Sequence, residues 1–72
     1  MDQYKLTEQV DRVIEALMND PRTKNAKIDV TDDRGTLTLR GMVEKVYIRD
    51  AAEEIARRQK GVLSVINEIK VF

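Results

Sequence analysis

The stretch Gly35–Val43, GTLTLRGMV, decides how this chain folds. Leu37, Leu39 and Val43 fall on one side of an extended run and Thr36, Thr38 and Arg40 on the other, the two-residue period of a half-buried strand. Gly41 takes an inward place in that row, where a glycine marks a bulge or the close approach of a helix backbone, and a larger residue would clash with whatever covers the sheet. Upstream, Ala26, Ile28 and Val30 alternate with Lys27, Asp29 and Thr31. Between the two runs, Asp32-Asp33-Arg34-Gly35 reads as a short hairpin connection with Gly35 in the left-handed region.

Outward from the hairpin the period changes. Leu6, Val10, Val13, Ile14 and Leu17 lie on one face of a helix predicted over residues 3–19, with Asp2 or Thr7 as its cap. Pro21 ends it, and residues 22–25 read as a polar loop. Beyond the hairpin, Ile48, Ala51, Ala52, Ile55 and Ala56 form a second apolar stripe, supported by the acid-first pairs Glu53–Arg57 and Glu54–Arg58. Gly61 stands where a glycine just past a helix end belongs. A last strand is predicted over residues 62–72, with Val65, Ile69 and Val71 on one face and Ile66 and Phe72 on the other. Asn67 falls in the inward row, where an amide must be hydrogen-bonded and so fixes strand or helix-end geometry.

The order is α-β-β-α-β in a single domain, residues 1–72. Two singly striped helices and three half-apolar strands predict an α+β two-layer sandwich with both helices on one face of a three-stranded sheet. The hairpin makes the first two strands antiparallel, and the helical crossover makes the second and third parallel, so the sheet is mixed.

Composition narrows function mostly by exclusion. The chain has no cysteine and no histidine, which removes disulfides, thiolate metal sites and the usual acid/base side chain. Ser64 is the sole serine, so the common nucleophile–base pairs cannot be assembled. Asp29, Asp32 and Asp33 cluster near the hairpin tip, but their spacing does not fit a calcium loop, and turn chemistry accounts for them. No catalytic residue, cofactor or metal is expected; a potassium site built from backbone carbonyls would leave no side-chain signature. Thirteen basic and thirteen acidic residues cancel, and there is no GxxG loop, which argues against a nucleic-acid partner.

The charge is uneven, however, with five basic and three acidic residues over 45–61. Arg57, Arg58 and Lys60 either complement the negative end of the second helix or meet anionic headgroups. Met42, Val46 and Tyr47 lie near Lys45 and Arg49; this group either forms a shallow membrane or protein contact, or Val46 and Tyr47 close the open end of the core. Ile66 and Phe72, with Met42, would give an apolar sheet face for a protein partner or a second copy. No apolar run nears the ~20 residues of a membrane span, and the first residues are not a signal peptide. A full-length chain is therefore expected in the cytoplasm, and an excised domain in the periplasm or envelope.

Taken in order, Leu6–Leu17 with Asp20-Pro21, Ile28 and Val30, Gly35, Leu37, Leu39, Gly41 and Val43, then Arg49, Ala52, Ile55, Ala56, Gly61-Val62, Val65, Asn67, Ile69 and Val71 resemble the BON domain family, named for bacterial osmotic-stress and nodulation proteins. The resemblance implies an αββαβ fold and a non-enzymatic role. It implies binding to phospholipid membranes or holding cell envelopes together under osmotic stress; other members are attached to cytoplasmic regulatory domains, and some bind potassium. Many members are exported with two copies of the domain, whereas this chain has one copy, no signal peptide and no lipid-attachment cysteine. The expected function is weak association with anionic phospholipid through Lys45, Arg49, Arg57, Arg58 and Lys60, supplemented by Met42 and Tyr47. The alternatives are a protein-interaction or oligomerisation module using Ile66 and Phe72, or a potassium-sensing module of a larger cytoplasmic protein.

Overall fold

A computed structural model describes the backbone over residues 2–72 and the side chains over residues 9–72. The elements are α1 (Asp2–Asn19), β1 (Ile28–Asp33), β2 (Thr36–Val43), α2 (Val46–Arg57) and β3 (Ser64–Val71). β2 is central, antiparallel to β1 and parallel to β3, as the connections predict. The caps proposed at Asp2 or Thr7, and the inward Leu6, lie outside the described side chains. β1 starts two residues later than its alternation suggests, because Ala26 donates its N–H to the Thr23 carbonyl at 3.0 Å and still belongs to the turn. β3 likewise starts at Ser64, not at Val62.

The register aligns one apolar face. Val30 lies beside Leu39, Gly41 between Ile28 and Ile69, Leu37 beside Val65, and Val43 beside Val71. Val13 and Leu17 of α1 and Ala52, Ile55 and Ala56 of α2 join these strand residues in one core, so both helices cover the same face. Leu37 and Leu39 of the central strand are fully buried, each contributing about 1.5–3 kcal/mol. Alanines at 51, 52 and 56 let α2 lie close to its neighbours.

Local chemistry fixes the corners. The hairpin turns on two residues, Arg34 (φ 55°) and Gly35 (φ 97°), the pattern of a type I′ turn. Asp32 and Asp33 remain in β1, and an Asp32 carboxylate oxygen accepts the Gly35 N–H at 2.9 Å. Gly61 does not terminate α2. The helix ends at Arg57, and Gly61 (φ 92°) sits in a following turn closed by Val62 N–H to the Gln59 carbonyl at 3.2 Å.

The loop over residues 22–25 is not wholly exposed. Thr23 is buried, and its hydroxyl donates to the Leu17 carbonyl at 2.5 Å, satisfying one of the last acceptors of α1. Next to it, the Arg22 guanidinium grips both Asp20 carboxylate oxygens, at 3.0 and 2.9 Å, and the Arg22 backbone N–H adds a bond at 2.8 Å. These bonds hold the Asp20 carboxyl at a pKa of about 2.

Gly41 (φ 155°) is needed because a Cβ there would come 2.6 Å from the Lys27 carbonyl oxygen. The approaching backbone is the lead-in to the neighbouring strand, not a helix.

Gly41→Ala is expected to lower stability by about 1–3 kcal/mol, read as an earlier urea midpoint at unchanged slope. A midpoint equal to that of the parent would contradict the close approach. Thr23→Val keeps the volume but leaves the Leu17 carbonyl unpaired, so a loss of about 1–3 kcal/mol is expected in the same experiment. The Asp20 pKa lies below its unfolded value of about 3.9, so the corner's contribution is full above about pH 4 and fades as pH falls toward 2. In carboxyl carbon-13 NMR, Arg22→Gln should move the Asp20 titration up toward the ordinary carboxylate range, the backbone N–H bond at residue 22 being kept; a midpoint still near 2 would show that the guanidinium is not the cause.

Candidate functional site

The basic residues singled out in the sequence do not form one patch. Lys45 occupies the N-cap position of α2, whereas Arg57, Arg58 and Lys60 lie at or beyond its other end. The helix separates the two groups by about 17 Å. Arg57 is bonded to Glu53 and Arg58 to Glu54, the two pairs predicted from spacing. Arg49 meets Asp50 at 3.3 Å, and Arg22 reaches Glu54 at 3.4 Å. Each of these cations already has a carboxylate beside it. Lys60 is held by its backbone, whose carbonyl accepts the Gln9 amide at 3.0 Å.

At the opposite end of the sandwich the structure assembles something the sequence divided. Met42 from the end of β2, Tyr47 from the first turn of α2, and Phe72 just past β3 are 61%, 59% and 68% exposed. They line one open groove of about 460 Å³ with Pro21, Lys27 and Ile48. Phe72 is carried there because its N–H donates to the Val43 carbonyl at 2.9 Å, extending the β2–β3 ladder past the last strand residue. Val46 and Tyr47 do not close the core, since both are more than half exposed; Val43 and the half-buried Ile48 do.

Ile66 is left apart from Phe72. It faces Thr38 on the outer side of the sheet, and the Arg40–Glu68 ion pair at 2.7 Å separates it from Met42 and Lys70. That bond to Glu68 raises the Arg40 pKa. The outer side is therefore polar around a single isoleucine, not the continuous apolar face expected.

The electrostatics of the groove end are distinctive. The Lys45 backbone is extended (φ −131°, ψ 142°), its side chain makes no capping bond, and no acidic residue occupies the first turn of α2. The positive end of the helix dipole thus lies beside a lysine without a side-chain cap, while the Ile48 N–H donates to the Lys45 carbonyl at 3.2 Å. Among the described residues, Lys27, Lys45 and Lys70 have no carboxylate within ion-pair distance. Glu44 offsets part of this charge. The missing cap is legible in the sequence, because Glu44-Lys45-Val46 offers no Ser, Thr, Asp or Asn at the helix start. The positions of Lys27 and Phe72 leave no such signal, since both depend on long-range pairing.

The remaining singled-out residues serve the scaffold. The Asn67 amide donates to the Arg49 carbonyl at 3.1 Å and to Glu53 at 3.2 Å, and its oxygen accepts the Ile69 N–H at 3.1 Å. A Cβ on Gly35 would fall 2.8 Å from the Leu63 side chain, and one on Gly61 2.7 Å from the Gln9 amide. Among the described residues no three carboxylates gather as metal ligands, and no helix is long and apolar enough to cross a membrane.

Comparison with curated proteins gives no match. The BON domain matches residues 5–71, nearly the whole chain, and its span runs from the first turns of α1 to the end of β3. The αββαβ order predicted from the sequence is the one observed. The chain belongs to the BON domain family, whose modules are non-catalytic and often linked to membranes and osmotic stress.

Proposed function

We propose that this BON domain is a peripheral module that docks weakly on anionic phospholipid bilayers with the end of the sandwich carrying Met42, Tyr47 and Phe72. The observation that carries the reading is the meeting of those three exposed side chains, from three different elements, around one groove that Lys27 also lines, with Lys45 at the start of α2 and Lys70 paired with Met42 across the sheet. Tyrosine, methionine and phenylalanine can enter the headgroup boundary while the lysines reach anionic lipid along their apolar stems.

Magnitudes support a weak, reversible contact. Each lysine near an anionic surface contributes about 1 kcal/mol, and each further buried apolar side chain adds a similar amount. Glu44 and the loss of translational freedom offset much of this. The electrostatic share is screened by salt, because unpaired surface charges act over about one Debye length. The positive end of the α2 dipole, which no side chain caps, favours a negative headgroup. Arg57 and Arg58 play no part in this reading, since their carboxylate partners already neutralise them.

Sedimentation with phosphatidylglycerol vesicles tests the proposal. Binding is expected at low salt, weaker binding at high salt, and little to vesicles of phosphatidylcholine alone. Tyr47→Ser with Phe72→Ser should weaken binding about tenfold, whereas Arg57→Gln with Arg58→Gln should leave it within about twofold. The absence of salt-sensitive binding, or its loss in the arginine variant alone, would overturn the assignment.

A further inference from the structure

β3 is an edge strand, and its free side is the longest open backbone edge of the sheet. Ser64 and Phe72 donate their N–H groups toward β2, to the carbonyls of Gly35 and Val43. The even-numbered amides of β3 therefore face β2, and the odd-numbered ones, at Val65, Asn67, Ile69 and Val71, face the open edge. Of these, the Ile69 N–H is bonded at 3.1 Å by the Asn67 side chain of its own strand. Asn67 is itself anchored by two bonds to α2, so the cap is held in place.

We propose that the β3 edge is a strand-pairing surface for a second copy of this chain, and that Asn67 keeps it closed. Charge complementarity selects the partner. In an antiparallel pair of two β3 strands centred on Ile69, Glu68 of each copy, half exposed beside its own Arg40, lies opposite Lys70 of the other, and both apolar faces stay on the same side of the joined sheet. Centring on Glu68 sets two carboxylates against each other, and centring on Asn67 leaves Lys70 opposite Ser64. The complementary register requires the two Ile69 residues to exchange N–H···O bonds, and those are the amides Asn67 occupies. The other edge does not offer this pairing, because β1 carries Asp29, Asp32 and Asp33 within six residues, so two copies would oppose like charges.

The test is molar mass by light scattering at micromolar concentration, with circular dichroism to confirm folding. The parent chain should be monomeric and Asn67→Ala should double in mass. Asn67→Ala with Val71→Pro should return to monomer, because that proline removes an amide facing only the open edge. Asn67→Ala with Lys70→Glu should do the same by setting carboxylates opposite each other. A folded Asn67→Ala chain that stays monomeric, or a dimer indifferent to Val71→Pro, overturns the proposal. Should Asn67→Ala fail to fold, hydrogen exchange on the parent chain decides: Ile69 must be more protected than its edge neighbours Val65 and Val71, and equal exchange at all three removes the cap.

Discussion

Leu37 and Leu39, adjacent inward residues of the central strand, lose all contact with water because two helices from opposite halves of the chain meet above one face of the sheet. A domain of this size buries a smaller fraction of its unfolded surface than a larger one does, about 60%, so it has little else to rest on. With no cysteine or histidine to cross-link or hold a metal, those buried leucines and the small alanines of α2 that let the helices close over them carry the fold. The arrangement also decides where chemistry can occur. The inner face is filled and the outer face is a polar lattice of threonines and the Arg40–Glu68 pair. Loops, helix ends and strand ends gather at the two ends of the sandwich, and Tyr47 and Phe72 meet at one of them.

A net charge of zero conceals a division of labour between the two cationic side chains. Arg22, Arg40, Arg49, Arg57 and Arg58 are each bonded to a carboxylate, as the planar guanidinium favours. Lys27, Lys45 and Lys70 remain without such partners among the described residues. Those five arginines stitch the scaffold, and the three lysines leave positive charge at the end of the sandwich where Lys27 lines the groove. This is how a chain without any basic excess can carry the anionic-surface contact proposed above, with the α2 arginines left out of it.

Periodicity made most of the fold legible. Alternation over Ile28–Val30 and Leu37–Val43, and the stripes of both helices, fixed element types, strand directions and the inward row, Asn67 included. The departures all come from tertiary partners that sequence spacing does not encode. Thr23 looks like a loop residue until the open carbonyl of Leu17 is found beside it. Gly61 resembles a helix-ending glycine because a turn over Gln59–Val62 intervenes where a direct stop was expected. Phe72 has the parity of the outer face, yet it lies past β3, where the groove rather than the sheet sets its surroundings. The end cluster was half legible: Met42, Lys45 and Tyr47 are near in sequence, whereas Lys27 and Phe72 join them only through the register of β1 and β3 on β2.

Residue-resolved NMR on anionic bicelles doped with a spin-labelled lipid tests the proposed membrane contact. The account predicts strong relaxation of amides at Met42, Val46, Tyr47 and Phe72, with those at Arg57, Lys60 and Ile66 little changed. Broadening centred on Arg57 and Lys60, or spread evenly over the domain, would contradict it.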